Sequence, residues 1–160
     1  MDLNRLTTGD QIIGVSGIVL FIFSFFDWLG ISVGDRSDAK NAWSFPLLLI
    51  AVLIGIALVV YVALKAAGTE LPALGTVTWG QIAVGLAGLA FLFVLIKLIT
   101  GPSGWNGVDI PDFVDKDRKF GIFVGIVATG GLVAGAVLNL QAERSAGGAA
   151  RPGQGGGPTV

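Results

Sequence analysis

In this chain of 160 residues, 53% of side chains are hydrophobic, only 13% are charged, and the mean hydropathy is +0.80. A water-facing surface needs about a quarter charged residues, so the chain reads as an integral membrane protein. A formal charge of −1 excludes a polybasic face for nucleic acid, and the lack of Cys and His excludes disulfides, thiolate metal sites and the commonest general base.

Four apolar runs are long enough to cross a hydrocarbon core of about 30 Å, which takes about 20 helical residues. They cover about 12–32, 45–64, 81–100 and 120–140. The expected fold is all-α: an integral membrane four-helix bundle over 1–141, followed by a disordered tail over 142–160. No run alternates with period two, which argues against a β-barrel.

The first run ends in "FIFSFFDWLG", where the carboxylate of Asp27 follows a stretch of phenylalanines. The small-x-small pattern "SDA" at 37–39 resembles a signal cleavage site, but Arg5 stands beside Asp2 and Asp10 and the apolar run is too long. The first helix is therefore expected to be retained. Loop one, "GDRSDAKNAW", is polar. Loop two, "KAAGTELPALGTVTWG", holds only two charges. Loop three, "GPSGWNGVDIPDFVDKDRK", is the longest and most charged. The tail from Ala142 is rich in Gly, Pro and Ala and lacks the apolar surface that offsets ordering entropy. Trp28, Trp43, Trp79 and Trp105 fall near the run ends, where an indole prefers the headgroup level.

Asp27 and Lys97 fall near the same-side ends of the first and third runs. A charge at the bilayer centre costs about 2.5–3.5 kcal/mol on insertion scales, and less near the interface. Two readings are open. An Asp27–Lys97 ion pair relieves both costs and could serve as a relay or solute-binding pair. Alternatively, Lys97 snorkels and Asp27 meets headgroup water separately.

The fourth run carries "GIFVG" (Gly121, Gly125) and "GLVAG" (Gly131, Gly135). Such small-residue surfaces let helix backbones approach closely in lipid. They fit a seam for a second copy or a partner, or packing within the bundle. Gly85 and Gly88, Ala51 and Gly55, and Gly14 and Gly17 supply further small surfaces. Asp109, Asp112, Asp115 and Asp117 in loop three lack the spacing of a calcium loop and read as a solvated loop, so no metal is expected. No nucleophile elbow, zinc-binding, Walker or dinucleotide motif is present, so no catalytic residue and no cofactor are expected. Deep polar residues are few: Ser16, Ser24, Thr129 and Asn139.

The stretch "SFFDWLGISVG…NAWSFPLLLIAVLIGIALVV" resembles a broad group of small four-span actinobacterial membrane proteins of mostly unassigned function. Ala42-Trp43 matches the Ala-Trp pair that opens their second helix, and Arg118 with Gly121 resembles the opening of their fourth. Asp27-Trp28 stands where Pro-Trp is usual. The resemblance covers nearly all of the chain before the tail and implies architecture, not activity.

With four spans, Arg5, Lys65, Arg144 and Arg151 share one side, and Arg36, Lys40, Lys116, Arg118 and Lys119 the other. The positive-inside rule hardly separates these sets. The better-formed loops one and three share a face, and the resemblance favours termini inside. The expectation is a multi-pass plasma-membrane protein with cytoplasmic termini. Its expected partners are the lipid bilayer and other membrane proteins or itself, with no nucleic acid. The leading expectation is a non-enzymatic protein acting through contacts with other envelope proteins. The alternative is a small channel or transporter, homo-oligomeric, with Asp27 and Lys97 near its mouth.

Overall fold

A computed structural model describes residues 6–72, 74–102, 111 and 114–149. The chain is mostly helical, but the all-α expectation needs correction: a three-stranded antiparallel sheet sits at one end.

Helix α1 (Thr8–Phe23) opens with a capping box, in which the Thr7 hydroxyl accepts from the Asp10 N–H and the Asp10 carboxylate accepts from the Thr7 N–H, both at 3.1 Å. Its 16 residues rise only about 24 Å, at about 1.5 Å each. The helix expected to reach residue 32 therefore stops at Phe23. The Trp28 indole N–H donates to the Phe23 carbonyl at 2.7 Å, and the Ser24 hydroxyl donates to Phe21 O at 2.6 Å, so end carbonyls of the helix find donors outside its ladder.

Strand β1 (Asp27–Val33) follows directly, turns through Gly34 and Asp35, and returns as β2 (Arg36–Asn41). Val33 pairs with Arg36, so the hairpin loop has two residues. Gly34 has φ +58°, the left-handed conformation such a tight turn requires and that Gly adopts without a Cβ penalty. Ile31 and Val33 are β-branched and favour the pleated state. Strand β3 (Asp115–Arg118) pairs on the other side of β1, giving the order β2-β1-β3. Asp115 and Asp117, expected in a solvated loop, are thus in a strand, where Ser32 Oγ donates to Asp117 Oδ2 at 2.8 Å.

A short 3-10 turn (Ala42–Ser44) leads from β2 into α2 (Pro46–Ala66), whose first residue is a proline with no N–H to lose. Helix α3 (Trp79–Thr100) opens with a second capping box, Thr78 with Gln81, and ends at Gly101 with φ +67°. Helix α4 (Phe120–Ala149) is the longest. Three helices are long and apolar enough to cross a membrane: Pro46–Ala66, Trp79–Thr100 and Phe120–Gly147. Helix α1 is the shorter apolar helix.

Helix α1 packs on α4 and α2, and α3 packs on the same two helices. Ile13, Leu20, Leu48, Val52, Val94 and Leu132 fill the interior at 1% exposure or less, with Ala87 and Ala90 allowing close approach. The outer face is also apolar: Val15, Ile18, Val127 and Phe120 are exposed. A surface of this kind is costly in water and costs nothing against lipid chains.

Gly121, Gly125, Gly131 and Gly135 of α4 pack closely within the chain. Gly121 and Gly125 form the notch that receives the Trp28 ring, and Gly131 faces Ser16. A Cβ on Gly135 would lie 2.7 Å from Gly9 O and 3.0 Å from Ile13 N, both backbone atoms of α1. Backbone cannot step aside as a side-chain tip can. Gly135→Ala should therefore lower stability by about 1–3 kcal/mol, the usual range for overpacking. Thermal unfolding in detergent would measure this, and an unchanged midpoint would show that α1 and α4 are farther apart than described.

Two further expectations need correction. Helix α4 continues to Ala149, past the expected start of disorder at 142. Gln141, Ala142, Glu143 and Arg144 are good helix formers, and the Glu143 carboxylate occupies the space that a side chain at Gly80 would fill, beside the N-terminus of α3. The rest of the expected tail, 150–160, lies outside the described residues. Trp28, assigned from sequence to the interfacial aromatic belt, is fully buried. Trp79 stacks on Tyr61 at 6.1 Å, and Trp105 lies outside the described residues.

Candidate functional site

Asp10, the acid of the α1 capping box, is the centre of a buried polar cluster at the end opposite the sheet. Its side chain is 0% exposed. It is carried on the first turn of α1, with Lys65 on the last turn of α2 and Asn139 in the second half of α4, so the three helices meet here. Gly9 precedes Asp10 and lies against Gly135 O and the Asn139 amide, which lets Asn139 reach the carboxylate.

Lys65 Nζ donates to both carboxylate oxygens, at 2.9 Å to Oδ1 and 2.8 Å to Oδ2. Asn139 Nδ2 donates to Oδ1 at 2.7 Å. Thr7 Oγ lies 3.0 Å from Asp10 Oδ2 and also contacts Asn139 Oδ1, so one hydroxyl proton serves two acceptors. Every hydrogen-bonding position of the carboxylate is engaged by a cation, an amide or the capping residue. Lys65 also lies over the Tyr61 ring, 5.4 Å from its centroid. The Lys65 side chain keeps 28% of its exposure, so the cluster is open to the surroundings along that side chain alone of the pair.

Chemically, this arrangement holds charge in place. Removing an unpaired carboxylate from water costs several kcal/mol, by order of magnitude, and the lysine with its added hydrogen bonds offsets that cost. The carboxylate faces its partners and not a cavity, and no described buried side-chain nitrogen or oxygen lacks a hydrogen-bond partner. No group of three metal-ligating side chains occurs among the described residues.

Asp27 and Lys97 are placed differently. Asp27 is exposed at the start of β1, whereas Lys97 is buried in the last turn of α3 with its Nζ 5.3 Å from the Phe45 ring. Asp27 thus stands in the hairpin strand and not at helical depth beside Lys97, while Lys65–Asp10 and Lys119–Asp117 form ion pairs. The expected pair required α1 to continue through Asp27 at helical depth, and the helix ends four residues earlier, at Phe23. Asp27→Asn should shift stability by less than about 0.5 kcal/mol, as for most surface changes. A drop of the size expected for a buried pair would restore the sequence expectation.

The sheet end is held by other contacts. Arg118 Nε donates to Leu98 O at 2.6 Å and its Nη2 to Ile99 O at 3.0 Å, placing a guanidinium on the last carbonyls of α3, where the helix dipole favours a cation. Trp43 Nε1 donates to Ser24 Oγ at 3.0 Å. Between the two ends the described interior is apolar, and the buried Thr129 hydroxyl donates to Gly125 O of its own helix at 2.8 Å. The side chains at the hairpin tip, from Val33 through Asp38, are exposed.

Of the cluster, sequence reasoning marked only Asn139 as a deep polar residue. In the sequence Asp10 and Lys65 read as charges flanking the apolar runs. The spacing Thr7-x-x-Asp10 was the available signal, since a capping box places its acid inside the first helical turn. Compared with known proteins, the chain matches no protein-family model and no curated protein.

Proposed function

We propose that this is a non-enzymatic multi-pass protein of the plasma membrane that acts through contacts with other cell-envelope proteins. The observation that carries this reading is the division of polar groups. No buried side-chain nitrogen or oxygen among the described residues lacks a hydrogen-bond partner, and exposed polar side chains gather at the hairpin tip, at Asp35, Arg36, Ser37 and Asp38. Among the described residues the interior between the two ends is apolar apart from Thr129, which favours contact over transport. The resemblance to small four-span actinobacterial membrane proteins supports α1 as a fourth crossing and the termini as cytoplasmic.

Purification from native membranes in mild detergent tests the function. The unaltered chain should bring down a defined envelope protein, and the charge-reversed chain R36E/D38K should lose it while unfolding at the same temperature. Purification without a protein partner, or solute flux through liposomes containing the pure chain, would contradict the proposal. Orientation has its own test, because the chain has no cysteine. Ser37→Cys should react with a membrane-impermeant thiol reagent in intact cells, and Ser145→Cys should not. The reverse pattern would invert the orientation.

A further inference from the structure

We draw no further inference here: the strongest candidate, the apolar groove between α1 and α2 lined by Gly17, Ile18, Phe21, Ile56, Val59 and Val60, is an exposed helix face, and nothing in the structure shows what covers it.

Discussion

Trp28→Ala is expected to cost about 3–5 kcal/mol, the range for removing a buried aromatic side chain. Trp28 is 0% exposed, and its ring fills the notch over Gly121 and Gly125. Its indole N–H donates to Phe23 O at 2.7 Å, and its own carbonyl accepts from the Lys119 N–H at 2.9 Å. One residue thus ties the end of α1, the start of β1 and the start of α4. Alanine would leave a cavity at the notch and remove one of two donors to the Phe23 carbonyl, which also accepts from the Phe26 N–H at 3.1 Å. Trp28→Phe keeps most of the ring and loses the N–H, so it should cost less, about 0.5–1.5 kcal/mol, the net worth of one hydrogen bond, since the Phe26 N–H still serves the Phe23 carbonyl. Thermal unfolding in one detergent would compare the two. If Trp28 instead lay in the headgroup belt, alanine would cost little and phenylalanine would behave almost like the native residue.

Lys65→Met should be the most damaging change at the opposite end, at about 3–5 kcal/mol, because it leaves a buried carboxylate without its cation. Asp10→Ala should cost somewhat less, about 2–4 kcal/mol on the same basis. The difference follows from exposure. Asp10 has none, while the Lys65 side chain keeps 28% and can carry its charge outward along an apolar stem. The order Lys65→Met above Asp10→Ala is therefore part of the prediction. Added salt should change neither effect much, since a buried pair is poorly screened. Equal small losses that disappear in high salt would mark an exposed ion pair.

The helices were legible in the sequence because long apolar runs leave few alternatives to membrane helix. Their ends were less legible. Hydropathy continues through "FFDWLGISV", so nothing in the run itself separates Phe23, the last helical residue, from the strand that begins at Asp27. The evidence for the strand was in the turn. Gly34-Asp35 between two short runs is a two-residue hairpin signal, and it competes with the length argument that favoured one continuous helix. Strand β3 had weaker support, since "DKDR" has no apolar residue and pairs because β1 offers it an open edge.

The cluster was hidden for a related reason. Counting Asp10 and Lys65 as flanking charges treats each end of a run as wet. Burial at those positions depends on α1, α2 and α4 meeting, and the Gly9–Gly135 approach that brings α1 onto α4 joins residues distant in sequence. Asp27 and Lys97 invited pairing by depth, but depth counted along a helix has no meaning once the backbone leaves it.

The most direct measurement is a double-mutant cycle between Asp10 and Lys65, using Asp10→Leu, Lys65→Met and both together in the full chain. Each single change strands a charged partner, whereas the double change replaces the pair with apolar groups and can be nearly neutral. The expected result is a double mutant more stable than the sum of its singles by at least about 1–2 kcal/mol, within the range for residues in direct contact. Additive losses would show that the carboxylate of Asp10 and the ammonium of Lys65 do not meet, and that α1 and α2 are joined by something else.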